Sequence, residues 1–165
     1  MKIAESLLME FDQEAQTTKR VLERIPADKL TWKPHPKSLS LGQLAFHIAS
    51  GPGQIAAAVV PDSFEAPGFV HPEAKSREEI LETFSKSTAS ARSTLKGMDD
   101  ARLMSEWTLT KNGKPLMAMP RIGFLRSILM NHIYHHRGQL SVYLRILDVP
   151  VPSIYGPSAD ENPFA

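Results

Sequence analysis

The amino-acid sequence predicts an all-α protein, a four-helix bundle with a long crossover between its third and fourth helices. Three observations carry this. Four stretches repeat apolar residues at helical spacings. Two of them open on a serine followed three residues later by Gln or Glu, the spacing of a capping box. A segment bearing Trp107, Asn112, Gly113 and Pro120, with no helical period, separates the third stretch from the fourth.

The first helix is predicted over residues 2–25, where Ile3, Leu7, Phe11, Val21, Leu22 and Ile25 form one face and Pro26 ends it. Residues 26–38 hold Pro34 and Pro36 and form a connector, with Trp32 packed down as a plug. A second helix starts near Ser40, paired with Gln43, and places Leu41, Leu44, Ile48 and Ile55 on one side. Gly51, Pro52 and Gly53 predict a kink or break in it, because the Pro52 ring clashes with the Ile48 carbonyl and leaves it unpaired. Residues 61–75 form a loop rich in Pro, Gly and Asp.

Ser76 and Glu79 open a third helix with Ile80, Phe84, Ala91 and Leu95 inward, stopped at Gly97. In residues 103–119 the Asn112-Gly113 pair fits a short hairpin, but an irregular crossover fits too. Pro120 can occupy the first turn of the last helix, which runs to about Leu147 through Leu125, Ile128, Leu129, Leu140 and Leu144. The proline-rich remainder should lie extended over the bundle. No internal repeat is visible, and 165 residues fit one domain, 1–165.

Composition narrows the functions. Hydrophobic residues make up 42% and charged residues 22%, too apolar for a disordered chain. The formal charge is +1 with no dense basic run, so nucleic acid is not an expected partner. Cysteine is absent, which removes disulfides, protein thiolate nucleophiles and cysteine ligands together. The amino terminus lacks the apolar core of a signal peptide, and no run reaches the roughly 18 apolar residues of a membrane span. The expectation is a soluble cytoplasmic protein.

Chemistry concentrates in the histidines. His132 and His136 are four apart on the last helix, so their Cβ atoms stack about 6 Å apart and two imidazoles can grip one ion. Counted from Leu125, they share a stripe with Ile128, Leu140 and Tyr143 and should point into the bundle. His47, beside Leu44 and Ile48, brings a third imidazole from another helix. The competing reading, in which each histidine only hydrogen-bonds a neighbour, stays open on the residues alone.

His135 is rotated about 100° from His136 and should point elsewhere. His35 and His71 each precede a proline in loops and are expected to face solvent. Gln139 could orient an imidazole or a bound water. Tyr134, Arg137, Tyr143 and Tyr155 could meet an anionic substrate, though such residues more often finish packing.

The strings LSLGQLAFHIASGPGQIA and NHIYHHRGQLSVYLRILDVPVPSIYGPSADE resemble the DinB-like (damage-inducible) superfamily, over nearly the whole chain. The resemblance implies a four-helix bundle with one histidine on the second helix and two on the last, which fall here on His47, His132 and His136. It further implies a divalent ion such as zinc or nickel, often a homodimer, and relatives that act as metal-dependent thiol transferases, isomerases or hydrolases. It implies neither polymerase activity nor DNA binding.

Three neutral imidazoles would leave an ion its full charge and an open position, a Lewis acid able to lower the pKa of a bound water to about 7 or to take a thiol as thiolate. A small-molecule substrate, with a low-molecular-weight thiol as partner, is one expectation. A non-catalytic metal-binding or stress-response module is the other, and a fourth protein ligand, for which Asp160 and Glu161 are candidates, would favour it.

Overall fold

The computed structural model of the chain describes residues 2–68 and 70–164. Helix α1, Ile3–Leu22, buries Ala4, Leu7, Phe11, Glu14, Thr18 and Val21, alternating steps of three and four that hold one stripe against the core, with Leu22 buried beside Val21. It stops short of the expected end; Ile25 is nonetheless fully buried in the turn before Pro26. The connector carries a 3-10 turn, Ala27–Lys29, and Trp32 meets Tyr143 edge-to-face at 5.6 Å.

Helix α2, Leu41–Ala58, begins with the anticipated capping box: Gln43 N–H donates to Ser40 Oγ at 3.0 Å, and Ser40 N–H to Gln43 Oε1 at 3.0 Å. The break expected at Gly51-Pro52-Gly53 does not occur, and α2 runs through Pro52. A neighbouring helix bonds the backbone around the proline. From α3, Arg77–Lys96, Ser87 accepts the Gly53 N–H at 2.7 Å and donates to the Ser50 carbonyl at 3.0 Å. A Cβ on Gly53 would come within 3.1 Å of Ser87 Oγ and 3.2 Å of its Cα, so glycine permits this close crossing.

The crossover contains a short helix α4, Asp100–Met104, and the hairpin alternative is the one realised, with β2 at Glu106–Lys111 and β3 at Lys114–Pro120. Asn112 and Gly113 both have positive φ, 51° and 72°, as a tight primed turn requires. Strand β1, Ser63–Glu65, pairs parallel to β2 from within the segment read as plain loop, making a small sheet in the order β1-β2-β3. Trp107 is fully buried, donating from Nε1 to the Ala58 carbonyl at 3.0 Å and packing on Phe124. Buried Arg121 joins α2 to the hairpin through the carbonyls of Val59, Pro61 and Glu106 and the carboxylate of Asp62.

Pro120 ends β3 and caps the last helical run instead of entering its first turn. That run has three parts: α5, Arg121–Phe124; a π-helical stretch, Leu125–Met130; and α6, Asn131–Ile146. A π turn adds one residue and rotates all that follows. The inward stripe accordingly passes from Leu125 to Leu129, Ile133, Arg137, Leu140 and Leu144, and Ile128, expected inside, is 37% exposed. One apolar cluster, with Phe11, Trp107, Leu125 and Leu129, fills the hairpin end, and a second, with Leu22, Leu41, Ile80 and Leu140, fills the other.

Candidate metal centre

The rotation sets His132 and His136 at the margin of the buried stripe of α6, half-buried and facing α2 rather than central in the core. His47, from the first half of α2, completes the group. Its Nε2 lies 3.3 Å from His132 Nε2, and His136 Nε2 lies 2.7 Å from the same atom. The two expected to converge by helical spacing therefore do so, and the third joins them from the other helix.

Three imidazole nitrogens directed at one another cannot all be satisfied by sharing protons, since His132 Nε2 has one proton to give and two neighbours waiting. A cation satisfies all three at once. Tetrahedral zinc, with Zn–N near 2.0–2.1 Å, spaces its nitrogen ligands about 3.3 Å apart. The His47–His132 separation fits that spacing, and the His132–His136 pair needs a small opening. His136 Nδ1 faces Gln139 Oε1 at 2.7 Å. An amide oxygen only accepts, so Nδ1 holds the proton and Nε2 keeps its lone pair for a ligand bond, the orienting role anticipated for Gln139.

Electrostatics keeps the group neutral. Burial, then the neighbouring His136 and His71, lowers the His47 pKa to about 4. Burial, then His136, His47 and His135, brings His132 to about 4 as well. His136 is lowered chiefly by burial, with Gln139 opposing. Unprotonated imidazoles are the form that binds metal.

A pH dependence follows. Above the ordinary value of 6.5, His47 and His132 are neutral in both folded and unfolded chains and cost nothing. As pH falls from 6.5 towards 4 the unfolded chain takes up protons that the folded one refuses, so folding stability declines through that window. Calorimetry of metal-stripped protein should show the melting temperature dropping there, and dropping less in His47→Gln; identical profiles for the two would refute this origin.

The remaining candidates separate cleanly. His135 is exposed, as anticipated, and so is His35. His71, expected in solvent, is instead half-buried with its ring 5.3 Å from that of His47. Periodicity could not have placed it, because a side chain anchors its loop: Gln43 Nε2 donates to the His71 carbonyl at 3.1 Å. Asp160 pairs with Arg145 and accepts from the Val151 N–H, while Glu161 pairs with Arg20 and accepts from the Ser153 N–H. Both acids brace the C-terminal segment. Among the described residues, the group whose ligand atoms lie within 4.8 Å of one another is His47, His132 and His136, with no carboxylate.

Arg137 is not available to a substrate either. It is 1% exposed, 2.7 Å from Glu14 Oε2, bonded to Thr18 Oγ1 and to the Tyr155 hydroxyl. Tyr134 donates to Glu10 and Tyr143 to the Leu39 carbonyl, so each of these residues finishes packing between elements. A cavity of about 670 Å³ lies between α1 and the end of α3, bounded by Glu5, Asp12, Arg92 and Asp99, and shares no residue with the histidines. No helix among the described residues is long and apolar enough to cross a membrane.

Known proteins resemble this architecture. YrdA of Bacillus subtilis (strain 168), an uncharacterized protein, is 26% identical over 154 residues, 93% of this chain and 89% of its own. A DinB-like protein from Bacillus cereus ATCC 10987 superposes with a TM-score of 0.75 at 26% identity, covering 93% of this chain and 98% of that one. The DinB-like protein YjoA from Bacillus subtilis shares the fold at a TM-score of 0.68 and 19% identity, over 88% of this chain and 96% of its own. The DinB family model matches residues 1–163, and the chain belongs to the DinB family.

Proposed function

We propose that His47, His132 and His136 hold one divalent ion, zinc or nickel, and that the protein is an enzyme acting on a small molecule by thiol transfer or hydrolysis. The observation that supports this most is the convergence of three neutral imidazoles with no carboxylate beside them among the described residues. A structural zinc site is closed by four protein ligands, whereas a catalytic one keeps a position for an outside molecule. When bound, the ion would supply Lewis acidity, polarising an oxygen or favouring the thiolate of a thiol at neutral pH.

The chain's own residues define the rest. His47 brings α2 into the site, Gln139 fixes the His136 tautomer, and burial of the imidazoles keeps protons from competing. With no cysteine to supply a thiolate, any thiol must come from solution. A second copy of the chain as partner, a cytoplasmic location and indifference to duplex DNA belong to the same proposal, the last resting on the near-neutral charge of +1.

The experiment measures turnover of a panel of electrophiles and esters, with and without small thiols, in metal-loaded and metal-stripped protein and in His47→Ala. Thiol transfer requires both metal and thiol, hydrolysis requires metal alone, and the variant should be inactive in either case. Turnover that survives metal removal rejects both, and a silent panel moves the assignment to a non-catalytic metal-binding module.

A further inference from the structure

His71 is the feature the proposed site does not absorb. Its Nδ1 is buried and has no hydrogen-bond partner among the described residues, a circumstance shared with no other buried side-chain nitrogen or oxygen there. Leaving such a group unpaired is unfavourable, so a hydrogen-bonding molecule arriving beside it would be held there. The imidazole packs edge-on to His47, with 5.3 Å between ring centres.

Its position is built, not accidental. Gln43 and His47 are one helical turn apart on α2, and Gln43 Nε2 holds the His71 carbonyl at 3.1 Å while Gln43 Oε1 is held by the Ser40 N–H. Two residues on, Glu73 Oε1 accepts from Ser40 Oγ at 2.6 Å. Gly42 leaves room for that carboxylate, since a Cβ there would lie 2.5 Å from Glu73 Oε1. Two side chains at the start of α2 thus tie the loop down where it lays an imidazole beside the proposed ligands.

His71 is nevertheless outside the trio whose nitrogens lie within 4.8 Å of one another. We infer that His71 is not a fourth ligand but a positioning residue, whose ring nitrogen hydrogen-bonds the outside molecule, a small anion or thiol, seated against His47, His132 and His136. The inference rests on the proposed metal site and adds to it a residue that selects ligands able to hydrogen-bond. It would make the exchangeable position one-sided, with a polar contact on the loop flank.

The test uses Co(II) as a coloured stand-in ion and azide as a small anionic probe. Wild type, His71→Phe and His71→Gln are loaded with Co(II), metal per chain is measured, and azide is titrated by visible absorption. Phenylalanine keeps the ring's shape with no nitrogen; glutamine keeps a hydrogen-bonding group. The expected result is unchanged Co(II) per chain in all three, azide affinity about ten-fold weaker or more in His71→Phe, and partial recovery in His71→Gln. Should the phenylalanine protein fail to fold, His71→Leu takes its place.

Loss of Co(II) from a folded His71 variant would make the residue a ligand and overturn the inference. Equal azide affinity in wild type and His71→Phe would overturn it too, with the metal site intact. Wild type that takes up no Co(II), zinc or nickel would remove the metal site itself and this inference with it.

Discussion

His132→Ala and His136→Ala should each empty the purified protein of divalent metal, while His135→Ala keeps about one ion per chain. The difference is geometric: the Nε2 atoms of the first two stand 2.7 Å apart, whereas His135 is exposed on the neighbouring face. Losing an outer-shell partner typically weakens metal binding about 10–100-fold, so Gln139→Ala should fall in that range and the two ligand variants below it. Elemental analysis of the purified proteins, followed by chelator competition, gives both numbers. Equal loss in the His132, His136 and His135 variants would break the assignment.

The second large effect concerns stability. Arg137 and Glu14 form a pair that is nearly closed to solvent, with side chains 1% and 9% exposed. Removing the guanidinium in Arg137→Leu strands a carboxylate whose remaining side-chain partner is the Tyr155 hydroxyl, at 2.9 Å. Breaking a buried pair from one side costs about 3–5 kcal/mol, whereas replacing both partners by apolar groups of similar size is often neutral. Denaturant unfolding should therefore show Arg137→Leu strongly destabilised and the double variant Glu14→Leu/Arg137→Leu recovering most of the loss. A double variant no better than the single one would mean that the contacts with Thr18 and Tyr155, not the stranded charge, dominate.

Much of this molecule was legible because its signals are local. The stripes of α1 and α3, the caps at Ser40 and Ser76 and the Asn112-Gly113 turn each depend on residues within a few positions of one another. His132 and His136 share that property, and the convergence with His47 followed from their helices packing together. Ile128 was misplaced by the local π-helical stretch, and the other main errors were made by distant partners. Pro52 did not break α2, and Ser87, on another helix, bonds the backbone on either side of it, at the Gly53 N–H and the Ser50 carbonyl. Loop residues at Ser63–Glu65 became a strand only because β2 offered an edge. His71 left the solvent because Gln43 and Ser40 tie its loop down. Asp160 and Glu161 could not be placed without knowing where Arg145 and Arg20 would stand.

The π-helical stretch at Leu125–Met130 has a consequence for how the sequence can vary. It works as a phase shift between two halves of one rod, so the hairpin end and the histidine end obey separate reading frames of inward and outward residues. Removing one residue within it would restore a regular helix and turn everything downstream by about 100° relative to the upstream half. Arg137 would then swing away from Glu14, and both histidines would leave His47. Substitutions that preserve length leave this clocking intact, whereas a single-codon deletion, conservative by any measure of composition, would uncouple the bundle from its histidines.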